Sequence, residues 1–305
     1  MAILELLNSL PGAVAQGLIW GIMAIGLYVT YRILDFADLT VDGSICTGGA
    51  VCTMLIISGV PVPIAVFAAV IAGMLAGLMT GVFHTAMGIP PILAGILTQL
   101  SLYTINLKIM GKANQAINSW KYDLPVSLTK IKGVPFYQNT IFVVILVVFA
   151  VVAILYWFFG TEKGASIRAT GSNINMSRAQ GINTTMNKIL ALMLSNGIVA
   201  LAGALLSQYQ GFSDISMGRG AIVIGLAAII IGEALFGKFI HNFALHLLSV
   251  AFGGVVYYIV FQIVLWFGLD TDFLKMLSAL VVAVFLAIPY WKKTYFSKPK
   301  KKEEA

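Results

Sequence analysis

Charge is scarce in this chain. Only 10% of its 305 residues are charged and 59% are hydrophobic, where soluble globular proteins carry roughly 25% charged and about 45–50% apolar residues. Too few charges exist to coat a water-facing surface. A soluble enzyme, a nucleic-acid-binding domain and a disordered hub are therefore excluded. Cysteine is almost absent: Cys46 and Cys52 are the only two. Their spacing turns them to opposite faces of a helix, which argues against an intrahelical disulfide or metal pair. His84, His241 and His246 are dispersed, and no Ser-His-Asp or paired-carboxylate arrangement stands out. No catalytic residue and no metal site is assigned, and the chain is read as a non-enzyme. The N-terminal MAILELLNSLPG has no basic region ahead of its apolar stretch and does not read as a cleaved signal peptide.

What is present is a succession of apolar runs. A membrane span needs about 20 apolar residues, and candidate spans fall at 12–34, 43–58, 61–84, 90–110, 138–159, 187–210, 217–236, 241–267 and 273–291. The stretch 43–58 is short enough for a half-helix. The fold class expected is all-α, a polytopic membrane bundle of about 8–10 helices, since an open sheet cannot satisfy its edges in lipid. A single transmembrane domain covers 1–291, and 292–305 is a basic tail. Gly73, Gly77 and Gly81 form a small-residue stripe, as do Gly17 and Gly21, which suits close helix packing.

The formal charge of +7 is concentrated. Glu162 to Lys188 holds four basic residues against one acidic, and Lys292 to Ala305 holds six lysines against two glutamates. By the positive-inside rule both segments are cytoplasmic. Counting spans back puts 111–137 outside, although that loop and its flanking Lys108 carry five lysines and one aspartate.

An internal repeat joins residues 21–44 to 197–220 without a gap. Gly21, Ile22, Ala24, Phe36 and Asp38 meet Gly197, Ile198, Ala200, Phe212 and Asp214, and Leu39-Thr40-Val41 meets Ile215-Ser216-Met217. The halves, about 12–159 and 187–291, would run in opposite directions, as in many transporters. In both copies acid, hydroxyl and glycine residues sit where two apolar stretches break. Broken helices at corresponding positions point to a transport pathway. Candidate pathway residues are Asp38, Thr40, Asp42, Ser44, Gln99, Asp214, Ser216 and Arg219. Asp35 and Glu233 are further ionisable groups, with Asn106, Asn196 and Gln262 as polar companions. The aspartates serve equally well as helix caps, and Thr40 and Ser216 suit N-cap positions. Gly232-Glu-Ala-Leu-Phe-Gly237-Lys238 imitates a phosphate-binding loop but ends in Phe239, where a magnesium-binding hydroxyl is required.

The segment 160–186 reads Arg168-Ala169-Thr170-Gly171-Ser172-Asn173, then Ala179 and Gly181-Ile182-Asn183, with a short helix expected from Ile174 to Gln180. It resembles the cytoplasmic coupling segment of ABC-transporter permeases of the branched-chain amino acid and ribose type. Asp38-Leu39-Thr40-Val41-Asp42-Gly43-Ser44 is similar to that family's signature after its first helices, with Asp42 inserted or substituted. Within the family the chain looks most like permeases that accompany aromatic-amino-acid-type binding proteins. The resemblance implies a permease pair (a homodimer or two related permeases) in the bacterial inner membrane. It further implies two cytoplasmic ATPase subunits, which carry the ATP and magnesium, and an extracytoplasmic substrate-binding protein. Arg168, Gly171, Asn173, Asn175, Met176, Arg178 and Gly181 would contact the ATPase. The implied function is import of a small solute, with amino acids, the aromatic ones included, as the implied class. The alternative is a secondary transporter driven by an ion gradient.

Overall fold

The structure is a computed structural model that describes residues 2–118, 121–131, 135, 138–237 and 242–266, with isolated positions between 276 and 287. Helices α1 (Ala2–Tyr28), α2 (Val41–Ile57), α3 (Val62–Thr85), α4 (Pro91–Met110) and α5 (Thr140–Gly160) form the first half. Helices α6 (Glu162–Ser172) and α7 (Ile174–Ala179) follow. Then come α8 (Thr184–Gln210), α9 (Ala221–Phe236) and α10 (Phe243–Trp266). Two short strands, β1 (Asn114–Ala116) and β2 (Phe212–Asp214), pair antiparallel and clip the stretch just after α4 to the end of α8. The expected span 273–291 and the tail 292–305 lie outside the described stretches.

Six helices among the described residues are long and apolar enough to cross a membrane, and α2 and α9 are shorter apolar helices. The expectation of a full span over 217–236 is corrected: residues 215–220 are turn, and helix begins only at Ala221. Sixteen residues rise about 24 Å, less than the ~30 Å hydrocarbon core. Within lipid a non-helical turn is tolerated where it packs on protein or lines a polar cavity, and Ile215 and Gly218 of this turn are buried. The end of α1 also departs from a regular helix, with a π-helical turn at Val29–Ile33.

The repeat is visible in three dimensions. Tyr209 Oη of α8 donates to the Gly12 carbonyl of α1 at 3.0 Å, while Ser195 Oγ donates to the Gly26 carbonyl at 2.7 Å. The first residues of one helix thus face the last of the other, so α1 and α8 run antiparallel. The order long helix, break, short helix, long helix recurs as α1–α2–α3 and α8–α9–α10. Its main contacts recur too. Helix α3 packs on α8 through the glycine stripe, where a Cβ on Gly77 would overlap the Leu192 carbonyl oxygen. Helix α10 packs on α1 in the same manner, with Gly254 against Gly17 and Gly21. Small side chains allow the backbone approach that substitutes for a hydrophobic drive in lipid.

This packing fixes two ends. Residues 111–118 and 121–131, the α2–α3 turn and the β1–β2 pair share one end, where Tyr122 Oη donates to the Ile57 carbonyl at 2.9 Å. The α6–α7 segment shares the other end with the close of α1, because Gly171 lies against the Ile33 carbonyl.

Candidate functional site

The two short helices meet at their N-termini. Asp42, in the first turn of α2, accepts from the Gly220 amide on Oδ2 and from the Ile222 amide on Oδ1, each at 3.0 Å. Gly220 is the N-cap of α9 and has no side chain to offer. The cap of the second repeat's short helix is therefore supplied by the first repeat. Each helix N-terminus carries roughly half a positive charge, and two such ends would repel across a buried gap. A carboxylate between them offsets this and satisfies orphan amides at the same time.

Behind this junction lies a closed polar network. Asp38 is 1% exposed. Its Oδ1 accepts from the Thr40 amide at 2.9 Å and its Oδ2 from Asn196 Nδ2 at 2.7 Å. Ser44 Oγ donates to Asn196 Oδ1 at 2.6 Å. Asn196 of α8 thus bridges the loop before α2 and the first turns of α2. The expectation that Thr40 caps α2 with its hydroxyl is corrected. Thr40 makes no such bond; its Oγ1 lies 2.6 Å from Thr80 Oγ1, which donates to Thr98 Oγ1 at 2.9 Å. The hydroxyls tie α2 to α3 and α4.

A cavity of about 180 Å³ opens on the other side of the junction, between α2, α4 and the 215–220 turn. Asp42, Gln99, Tyr103, Asn106 and Arg219 line it, with Cys46 at its side. Of the sequence-predicted pathway residues, Asp42, Gln99 and Arg219 come together here. Asp38, Thr40 and Ser44 are buried in the network beside it. Asp214 and Ser216 lie apart, at the β1–β2 end. Asp214 accepts from the Ser216 amide at 2.7 Å and from Asn114 Nδ2 at 3.4 Å. Ser216 does not cap α9, again contrary to expectation, because that helix starts five residues later on the Asp42 carboxylate. Both cysteines are free and buried.

At the opposite end, three consecutive helices begin on side-chain caps. Thr161 accepts from the Gly164 amide, Asn173 from the Met176 amide and Asn183 from the Met186 amide. The caps make α6, α7 and α8 a stiff zigzag. Arg168 Nη2 donates to the Phe159 carbonyl at 2.7 Å, holding α6 on the end of α5. Asn187 Nδ2 donates to Ser166 Oγ at 2.6 Å and to Thr170 Oγ1 at 2.9 Å, holding α6 on α8. Arg178 Nε donates to Thr184 Oγ1 at 3.2 Å. Asn175, Met176 and Arg178 are exposed, whereas Ser177 faces inward. Gly181, at φ 76°, turns the chain from α7 into α8.

Residues 10–289 match the family described as branched-chain amino acid transport system, permease component. The chain belongs to that permease family. It is 36% identical over 281 residues to a tyrosine transport system permease protein of Clostridioides difficile, covering 92% of this chain and 91% of that one. It is 29% identical over 198 residues to the autoinducer 2 import system permease protein LsrC of Salmonella typhimurium, covering 63% of this chain and 54% of that one. PsaBC from Streptococcus pneumoniae, solved in complex with Fab, has a similar fold, with TM-score 0.51 at 17% identity over 94% of this chain and 95% of that chain. The permease is thus an ABC-type transport subunit for a small solute and a multi-pass protein of the bacterial plasma membrane.

Sequence reasoning missed several residues of the permease that hold its two sites. Asn187 offered no signal beyond its place one turn after the Asn183 cap. Thr80 and Thr98 look like hydroxyls bonded back within their own helices, which they also are. Lys188 Nζ donates to His84 Nε2 at 2.9 Å, while His84 Nδ1 bonds the Ile89 carbonyl. That contact joins residues 104 apart in sequence. Arg32 pairs with Glu233 at 3.1 Å across the two halves. The phosphate-loop imitation is helix through Phe236.

Proposed function

We propose that the permease imports an amino acid handed over by an extracytoplasmic binding protein, driven by ATPase subunits that seat α7 in a groove. The ATP and magnesium belong to those subunits, and two permease copies with two ATPases form the assembly. The observation that carries this reading is the unbroken mechanical line from α7 to the polar network. Exposed Asn175, Met176 and Arg178 stand on a capped helix. That helix is bound to α8 through Arg178–Thr184, and α6 through Asn187. Helix α8 then carries Asn196 to Asp38 and Ser44. A displacement of α7 therefore shifts the partners of the α2–α9 junction, and packed elements of this kind switch between discrete arrangements. The amino-acid class rests on the similarity to a tyrosine transport permease.

Copurification tests the drive. The permease coexpressed with its cognate ATPase should recover that subunit from detergent extracts. Arg178→Glu should lower the recovery at least tenfold while the permease itself still elutes as a single folded species. Equal recovery with Arg178→Glu would count against α7 as the contact.

A further inference from the structure

We propose that the cavity between α2, α4 and the 215–220 turn is a solute site within the permease, built for the charged head of a zwitterionic amino acid with an aromatic wall for its side chain. The inference rests on the amino-acid reading above and goes further, placing recognition inside the membrane subunit rather than in the binding protein alone.

Asn106 supplies the first reason. It is 1% exposed, lines the cavity, and neither its Nδ2 nor its Oδ1 has a hydrogen-bond partner. Buried polar groups are nearly always paired, and one that lacks both a donor and an acceptor partner calls for a ligand or water that supplies them. The second reason is its register. Gln99, Tyr103 and Asn106 stand at i, i+4 and i+7 on α4, so they form one stripe along the cavity wall. The third reason is charge. Arg219 lines the cavity opposite α4, and its guanidinium makes no hydrogen bond or ion pair among the described residues. Asp42 contributes the opposite charge. Each of its oxygens is engaged by one α9 amide, and a carboxylate oxygen accepts more than one hydrogen bond.

A carboxylate fits the planar donor fork of arginine, and an ammonium fits an aspartate with lone pairs to spare. An amide that both donates and accepts suits either end. A neutral sugar offers Arg219 no countercharge, and a simple ion would match only one of the two groups. At about 180 Å³ the cavity is roughly ten times the room one water needs, the scale of a small organic molecule.

The test uses the complete transporter (permease, ATPases and binding protein) in proteoliposomes, with L-[3H]tyrosine as probe. Asn106→Leu should lower uptake at least tenfold without lowering the thermal midpoint, because an apolar isostere removes an unpaired buried amide. Thr53→Val is the control: Thr53 Oγ1 is also buried without a partner, but Thr53 does not line the cavity. Its uptake should stay within twofold of the unaltered complex. Arg219→Gln should raise the KM for tyrosine at least fivefold. If the unaltered complex imports tyrosine and Asn106→Leu behaves like Thr53→Val, the site is overturned and the amino-acid reading stands. If Asn106→Leu lowers the thermal midpoint along with uptake, Asn106 is structural and the site is overturned. Absence of uptake of tyrosine and of each other common amino acid by the unaltered complex overturns the amino-acid reading and the site together.

Discussion

Asp42 Oδ1 accepts a hydrogen bond from the Ile222 amide at 3.0 Å, so a side chain of the first broken helix caps the second. A junction that spans the two halves couples them more tightly than packing alone. Replacing Asp42 with Ala removes both acceptors and the charge that offsets two helix ends. Each amide left without a partner costs about 1–3 kcal/mol. The thermal midpoint of the detergent-purified permease should fall clearly with Asp42→Ala and less with Asp42→Asn, which keeps one acceptor oxygen. Equal midpoints for all three proteins would remove Asp42 from the junction.

Asn196 joins Asp38 and Ser44, and its amide is fully used. Ser44→Ala leaves Asn196 Oδ1 buried without a donor, at a cost of about 1–3 kcal/mol. Asp38→Asn keeps the shape but removes the charge, and its amide would turn a donor toward one of two donors. Uptake should fall more than membrane expression in Asp38→Asn, measured on the same vesicles by transport and immunoblot. Proportional losses would leave Asp38 a structural cap only.

The repeat was legible because it rests on identity of residue type at matched positions, Phe36-x-Asp38 against Phe212-x-Asp214. The bounds of α7 were legible for a similar reason: Asn173 and Gly181 act within their own few residues. The junction was not. Asp38 and Asp214 are equivalent in sequence, yet one is buried on Asn196 and the other sits beside Ser216 near the β1–β2 pair. Asp42, moreover, occupies the position of Gly218, so only the first copy carries an acid able to reach across. Which partner it reaches depends on how two distant helices meet, and spacing along one chain does not contain that.

Asn173 starts α7 by accepting from the Met176 amide at 3.0 Å. Asn173→Ala should cost about 1 kcal/mol of local helix stability. Amide hydrogen exchange over 174–179 should quicken roughly fivefold while α8 is unchanged. The number of ATP molecules hydrolysed per solute should rise. Unaltered exchange in 174–179 would show that the cap does not hold the helix.

Gly171 places α6 directly on the carbonyl of Ile33, at the π-helical close of α1. A methyl group there would meet backbone rather than a yielding side chain, and such overpacking costs about 1–3 kcal/mol. Gly171→Ala should therefore lower both thermal midpoint and ATP-driven uptake, whereas Ser172→Ala on the exposed side should change neither. A Gly171→Ala permease with normal uptake would mean that α6 does not bear on α1.

In the proposed function, movement of solute is powered from the α6–α7 end by ATP and not by an ion gradient acting on the buried aspartates. The most direct measurement is tyrosine uptake into proteoliposomes containing the complete transporter, with ATP and an ionophore varied independently. Uptake should require ATP and persist when the ionophore collapses the gradients of the ions it carries. Uptake that proceeds without ATP and stops with the ionophore would contradict it.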